Sequence, residues 1–266
     1  MKIISWNVNG IRAVAKKWFS DFVLEENPDI LCIQETKAFE EQFLKDVWEI
    51  EWYKYVWHKW TRPGYSGTAI FYKENLEVID YKNHFDEIEH FHSDGRVTEI
   101  EFKRTGSQKN IVLFNGYFPN GWTRADGTEM LSYKLEFYNK LIDYANYIRD
   151  NGKDIILTWD FNIVHTPIDI ARPKENEASI WFLPVERAKV WELLDNGYID
   201  TFRYLYPYQL DTYSRWSYRA GARPRNVWWR IDYFVVNKDF IENVADIQYM
   251  NDIMWSDHCP VKLELK

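Results

Sequence analysis

Asp154-Ile155-Ile156-Leu157-Thr158-Trp159-Asp160-Phe161-Asn162 is a short apolar run that ends in an acid and an amide. Residues 154–158 have the length and β-branched content of a buried strand. Asp160 and Asn162 alternate along an extended segment, so they face the same side of it. A carboxylate and an amide on one face can position a water and an anionic oxygen together. Turn chemistry also ends strands with Asp or Asn, so the triplet gains meaning only from its surroundings.

Working outward, seven more runs have the same character: Lys2–Val8, Asp29–Gln34, Thr68–Tyr72, Arg96–Phe102, Asn110–Tyr117, Ile231–Val236 and Pro260–Leu265. Leu131, Leu135, Tyr138, Leu141, Ile142 and Ala145 recur at helical spacing before Gly152. Glu186 to Leu194 predicts a second helix, stopped by Asn196-Gly197, and residues 14–25 a third. Many strands with interspersed helices predict a mixed α/β layered protein. Asn7, Glu35, Asn115, Asp160, Asn162 and Asp232 lie in or at the ends of apolar runs. That recurrence predicts a site assembled at one edge of the sheets.

The chain has 266 residues, no linker and no repeat, and reads as one domain over 1–266. No apolar run is long enough for a membrane span. A strand follows Met1 directly, leaving no room for a signal peptide, so a cytoplasmic protein is expected. Cys32 and Cys259 lack metal-type spacing and read as reduced core thiols. The net charge of −8 argues against a broad phosphate-binding surface. A few local cations suffice for a small footprint, and an acidic total suits carboxylates gathered around a divalent metal.

Hard cations such as Mg²⁺ prefer oxygen ligands and keep several waters, so one or two carboxylates can hold them. Glu35, within Ile33-Gln34-Glu35-Thr36-Lys37, is one candidate, or else a solvated acid paired with Lys37. In Ser256-Asp257-His258-Cys259-Pro260 a histidine follows an acid and opens the final strand. Asp232 could meet His258 through the fold, and a carboxylate-oriented histidine serves proton transfer or charge stabilisation. Arg219, Arg223, Arg225 and Arg230 lie among Trp216, Tyr218 and Trp229. Cations with aromatics suit a nucleic-acid backbone and an unstacked base or sugar; a solvated loop over packed aromatics fits the segment equally.

In this order, the motifs closely resemble the exonuclease III family of abasic-site endonucleases. The matching segments are Ser5-Trp6-Asn7-Val8-Asn9-Gly10-Ile11-Arg12, Pro28 to Lys37, Gly64-Tyr65-Ser66-Gly67 and Tyr117-Phe118-Pro119-Asn120. They continue with Asp160-Phe161-Asn162, His165, Asp169-Ile170-Ala171-Arg172-Pro173, Trp229-Arg230-Ile231-Asp232-Tyr233 and Ser256 to Pro260. The resemblance spans residues 2–264. It implies a four-layered α/β sandwich, deoxyribonuclease I-like, in which two packed mixed β-sheets are flanked by helices. It implies Mg²⁺ or Mn²⁺, and hydrolysis of double-stranded DNA 5′ to an abasic site to leave a 3′-hydroxyl, with 3′-5′ exonuclease or 3′-phosphodiesterase side activity and a monomeric enzyme.

Residue by residue, the resemblance makes Glu35 the principal metal ligand, with Asn7, Asp257 and Asn9 in the metal environment and Asp160 and Asn162 beside it. Asp160 would orient or deprotonate the attacking water. Asn162 and His258 would hold the scissile phosphate, Asp232 would orient His258, and Tyr117 would contact the phosphate. Asn120 and Asn176 fall where the family contacts DNA, with Arg223 and Arg225 as local cations. Trp229 and Ile231 stand at the wall of the pocket for the flipped abasic sugar. Two other readings are a same-fold phosphodiesterase acting on lipid or inositol phosphates and a catalytically impaired DNA-binding homologue.

Trp159, Trp228 and Trp255 stand where the family has glycine, and Trp52 and Trp181 also fall at usual glycines. Trp is 14 and Gly 11, against roughly 19 Gly at average usage. The pattern predicts a gene in which UGA encodes glycine but is written here as Trp. Arg215 replaces the family's usual aromatic in the sugar pocket and has no such explanation.

Overall fold

Alternation within the strands decides the layering. In Ile111–Tyr117, Ile111 and Leu113 join one apolar cluster, while Val112 and Phe114 join another on the opposite face. In Ile30–Gln34, Ile30 and Cys32 meet the first of these clusters, and Leu31 and Ile33 turn away to a third. Both sheets are therefore buried on both faces.

The computed structural model describes residues 1–266 apart from 18, 47–51, 59–63, 84–94 and 219–220. One six-stranded sheet contains β1 (Lys2–Asn7), β2 (Ile30–Gln34), β3 (Tyr53–Trp57), β4 (Thr68–Lys73), β11 (Val244–Tyr249) and β12 (Val261–Leu265), in the order β11-β12-β1-β2-β4-β3. The other contains β5 (Glu77–Lys82), β6 (Val97–Lys103), β7 (Ile111–Tyr117), β8 (Asp154–Asp160), β9 (Tyr198–Asp200) and β10 (Asp232–Asn237), in the order β5-β6-β7-β8-β10-β9. The pairs β1–β2 and β7–β8 are parallel and the rest antiparallel, so both sheets are mixed.

The sheets pack face to face through residues such as Ile3, Cys32 and Ile70 from one and Ile100, Leu113, Ile156 and Phe234 from the other. Outside the first sheet lie α1 (Ile11–Ala15), α2 (Phe19–Glu26) and α3 (Glu40–Asp46), and outside the second α4 (Leu131–Asp150) and α5 (Pro184–Asp195). A short α6 (Thr201–Leu205) is capped by Asp200, which accepts from Phe202 N and Arg203 N. This is the expected four-layered α/β sandwich.

All eight predicted strands are present. The four unpredicted ones, β3, β5, β9 and β11, are edge or next-to-edge strands of polar or broken pattern. The expected helix over 14–25 is instead two, α1 and α2, with a turn at 16–17. Cys32 and Cys259 are buried and unpaired. Among the described residues no helix is long and apolar enough to cross a membrane.

Between the sheets, beneath the strand ends, runs a polar seam. Gln34 Nε2 donates to Ser5 Oγ at 2.8 Å and to Asn115 Oδ1 at 2.7 Å. Asn115 Nδ2 donates to the carbonyls of Ile33 and Ala69 at 3.0 and 2.9 Å. The bonds of Asn115 cross from one sheet to the other, so they fix how the strand ends that carry the site sit against each other.

Candidate active site

Parallel pairing brings the C-terminal ends of β1 and β2 to one edge, where Asn7 and Glu35 stand side by side. In the facing sheet, β8 lies between β7 and β10, and its register sets Asp160 opposite both Tyr117 and Asp232. Stacking these edges closes the site. Asn7 Nδ2 donates to Glu35 Oε1 at 3.0 Å and to Asp160 Oδ2 at 2.8 Å. Asn7 Oδ1 accepts from Asn9 N at 2.9 Å, and Asn9 Nδ2 donates to Asp257 Oδ1 at 2.8 Å.

His258 stands 2.8 Å through Nδ1 from Asp232 Oδ2 and 3.9 Å through Nε2 from Asp160 Oδ2. Its own N–H donates to Ser256 Oγ at 3.2 Å, and Ser256 Oγ donates to the Asn7 carbonyl at 2.8 Å. Asp160 Oδ1 accepts from Asn162 N at 2.9 Å, and Asn162 Nδ2 donates to the Phe118 carbonyl at 2.9 Å. Asn9, Glu35 and Asn162 all hold left-handed backbone, with φ of 48°, 50° and 50°. Strained backbone of this kind clusters where a side chain must be aimed.

The electrostatics follow from packing acids in a dry place. Burial pushes the Asp160 carboxyl up to about 7, helped by Asp232 and Glu35 and opposed by His258 and the Asn162 N–H. Burial alone would lower His258, but Asp232, Asp257 and Asp160 outweigh it and lift the imidazole to about 9. Burial would raise Asp257, yet His258, Arg215 and the Asn9 amide bring it below the usual carboxylate range. Burial also raises the Tyr117 hydroxyl well above its ordinary value, with Glu35 and Asp160 adding to the effect. Tyr117 therefore stays protonated, able to donate a hydrogen bond.

The donor set suits a hard cation. Glu35, Asp160, Asp257, Asn7 and Asn9 offer oxygens, and a cation already stands among them. The Lys37 ammonium is 2.6 Å from Glu35 Oε2 and donates to Asn9 Oδ1. Asp160, Asp232 and His258 each bring a donor atom within 4.8 Å of the others. Asp232 and His258 are spent on each other, which leaves Glu35, Asp160 and Asp257 as the acids that could face a metal.

The predicted DNA contacts divide. Asn120 is half-buried beside the site; its side chain accepts from Trp122 N, and its carbonyl accepts from Trp181 Nε1 at 2.6 Å. Asn176 turns back to donate to the carbonyls of Ala171 and Arg172. Trp229 stacks on Trp228 and meets Trp181 edge-on at 5.2 Å, while Ile231 is wholly enclosed in this cluster. The indoles of Trp181 and Trp228 thus both pack against Trp229, one of the two residues expected to wall the sugar pocket, and Ile231, the other, is fully buried.

The arginines of the segment have different surroundings. Arg223 donates to the carbonyls of Ser256, Asn251 and Ile253 at 2.9, 3.0 and 2.6 Å and lies over the Trp216 ring. It braces the loop that carries Asp257. Arg230 is fully buried between Asp169 and Asp200. Arg225 is exposed, and Arg219 lies outside the described residues.

Sequence reasoning missed the supports. Lys134 is fully buried, donating to the Asn162 carbonyl at 2.7 Å and to Glu186 at 2.5 Å. Glu186 in turn accepts from Trp181 N and Leu183 N, tying the start of α5 to the Asn162 turn. The available signal was a lysine on the apolar stripe of α4, one turn before Tyr138.

The five tryptophans at expected glycine positions behave differently from one another. Trp52 and Trp181 have φ of 78° and 83°, a backbone natural to glycine. Trp159, Trp228 and Trp255 do not share it. Trp159 fits because it faces Gly116, where a Cβ would lie 2.7 Å from the indole. Trp255 packs on Trp6 and Phe22. Among the described residues the buried Nε1 groups of Trp159 and Trp228 have no hydrogen-bond partner.

Residues 4–258 match the Endonuclease/Exonuclease/phosphatase family. The chain belongs to that family, and its fold and site are those of a hydrolytic nuclease. It is 41% identical to an exodeoxyribonuclease of Bacillus subtilis, covering 99% of this chain and 98% of that one. It is 35% identical to a DNA-(apurinic or apyrimidinic site) endonuclease of Dictyostelium discoideum, covering 98% of this chain and 69% of the relative. Among solved structures it superposes on the AP endonuclease LMAP from Leishmania major with a TM-score of 0.87 at 28% identity, covering 100% of this chain and 87% of the other.

Proposed function

We propose that the protein hydrolyses the DNA phosphodiester 5′ to an abasic site, leaving a 3′-hydroxyl, with Mg²⁺ or Mn²⁺ as cofactor. The observation that carries the reading is the bonded chain Glu35–Asn7–Asp160 set beside the Asp232–His258 pair. Acids for a cation and a protonated imidazole for an anion meet within a few ångströms, as transfer at phosphorus requires.

Glu35 and Asn7, with Asp257 and Asn9 behind them, would hold the metal. When bound, it neutralises charge building on the phosphate oxygens and helps supply an ionised water. Asp160 orients the attacking water and takes its proton, a role suited to a buried carboxyl lifted to about 7. His258, kept as imidazolium by Asp232, and the Asn162 amide hold the phosphate oxygens, and Tyr117 donates to the same group. An abasic nucleotide has no base to unstack, so bringing it to this edge costs less than extruding an intact one.

Incision of a duplex containing one abasic analogue, with Mg²⁺ and with EDTA, tests the reading. A cut 5′ to the lesion only with metal is expected. Binding of that duplex without cleavage would point to an impaired homologue, and cleavage of inositol or lipid phosphoesters instead would move the substrate away from DNA.

A further inference from the structure

Arg215 is held beside the site from both sides. Its N–H donates to the Trp229 carbonyl at 3.1 Å, Trp216 N donates to Asp257 O at 2.7 Å, and Cys259 N donates to Ser214 O at 2.8 Å. The side chain is one-fifth exposed, with Nε 3.3 Å from Asp257 Oδ2 and the guanidinium over the Trp181 ring at 4.8 Å. A guanidinium carries five N–H donors. Only the one on Nε has a partner among the described residues. Neighbouring arginines differ: Arg203, Arg223 and Arg230 spend both terminal nitrogens on carbonyls or carboxylates. Arg215 is therefore a cation held through its backbone against Trp229 and through Nε by Asp257, with its fork unspent.

We infer that Arg215 is a specificity-determining residue whose guanidinium reads a negative charge on the group beyond the scissile phosphorus, favouring 3′ ends that carry an anionic remnant over a neutral abasic sugar. The inference rests on the nuclease reading above. A neutral sugar gives the fork no charged partner, whereas a carboxylate or a terminal phosphate oxygen fits it in two parallel, charge-assisted bonds. The chemistry is unchanged between the two substrates. Water oxygen bonds to phosphorus and its proton passes to Asp160. The P–O3′ bond breaks, and its electron pair stays on O3′, which is protonated to the 3′-hydroxyl. Only the substituent left on the departing phosphate differs: a glycolate carboxylate in one case, an uncharged sugar in the other.

The test compares a duplex ending in 3′-phosphoglycolate at a gap with a duplex holding an internal tetrahydrofuran abasic analogue, using wild type, Arg215→Gln and Arg215→Lys. The ratio of kcat/KM for the phosphoglycolate end to that for the abasic analogue falls about tenfold or more in the Gln variant, and Lys, which keeps the charge and loses the fork, keeps only part of it. Should the Gln variant misfold, Arg215→Met, which keeps the apolar stem over the indoles, takes its place. In EDTA, wild type binds the phosphoglycolate end more tightly than the same gap with a 3′-hydroxyl, and the Gln variant loses that preference. Equal losses on both substrates with unaltered discrimination in EDTA overturn the proposal and leave Arg215 as a clamp on Asp257. A wild-type protein that cuts neither duplex overturns the nuclease reading, and the EDTA comparison still decides the role of Arg215.

Discussion

His258 Nδ1 lies 2.8 Å from Asp232 Oδ2, although Asp232 opens β10 of one sheet and His258 lies three residues before β12 of the other. The pair joins the sheets across their shared edge and keeps the imidazole charged beside Asp160. Replacing Asp232 by Asn keeps the shape and removes the charge. We expect kcat on abasic duplex to fall by about 10²- to 10⁴-fold with little change in melting temperature. Steady-state kinetics with a thermal melt checks this, and a kcat within a few-fold of wild type would leave the pair a purely structural one.

Glu35→Ala should abolish most metal-dependent cleavage while the fold stays intact, because Glu35 lies just past the end of β2 with its carbonyl accepting from Gly10 N at 2.8 Å, a bond the substitution leaves in place. Asp160→Asn should lose turnover by about 10²-fold or more and duplex affinity far less, since the amide cannot accept the water's proton. Single-turnover rates and binding in EDTA separate the two effects. Equal loss of binding and turnover at Asp160 would remove its proposed role.

Asp169 accepts from Arg230 at 2.7 Å and from Arg203 at 2.6 Å with no exposed surface. Burial would raise its carboxyl, but the two guanidiniums outweigh it and hold it well below the usual range. A carboxyl depressed in the folded state contributes stability that is full above its unfolded value of about 4 and is lost as pH falls through the folded value. Asp169→Asn should cost about 3–5 kcal/mol, because the buried Arg230 loses one counter-charge. Denaturant melts from pH 7 down to pH 2 should show the wild-type advantage shrinking in the acid range; a constant gap would place the cost in packing instead.

Arg223→Ala should act on stability and not on salt dependence. Its three carbonyl contacts brace the loop before Asp257, so their loss should cost about 1–3 kcal/mol. Duplex affinity should still weaken with salt, with a slope equal to wild type, since phosphate contacts release counterions and both terminal nitrogens of Arg223 are already held by carbonyls. A smaller slope in the variant would return Arg223 to the DNA surface.

The tryptophans at glycine positions give a prediction that needs no enzyme assay. The gene should carry UGA at Trp159, Trp228 and Trp255, and also at Trp52 and Trp181, whose left-handed backbone costs a side chain about 1–2 kcal/mol. Trp6 and Trp229 should be UGG. Peptide masses of the native protein would then show glycine at the five positions. Trp181→Gly with Trp228→Gly should open space beside Trp229 and raise abasic-site incision; UGG throughout would end the decoding idea, and equal activity would make the indoles native features.

Local pattern was enough for the eight central strands, the long helix α4 and the residue types of the site, because a doubly buried strand reads as an apolar run and a polar residue at its end stands out. Sequence by itself also determined that Trp crowds out Gly, whereas Asp160 and Asn162 turned out to be joined by a turn, with Asn162 N donating to Asp160 Oδ1 and Asn162 in left-handed backbone, and not by an extended segment. Sequence did not reach the edge strands β3, β5, β9 and β11, whose patterns are polar, broken or short, nor the break between α1 and α2. Only the tertiary structure decided which distant residues meet. The registers of β7, β8 and β10 put Asp160 opposite both Tyr117 and Asp232, and the packing of one sheet on the other brought Asn7 to Asp160 over 153 residues. The same packing turned Arg223 and Arg230 inward to backbone and carboxylate partners while leaving the fork of Arg215 unspent. Charge and residue type are local properties, but whether a cation is consumed by its own fold depends on what the fold places around it.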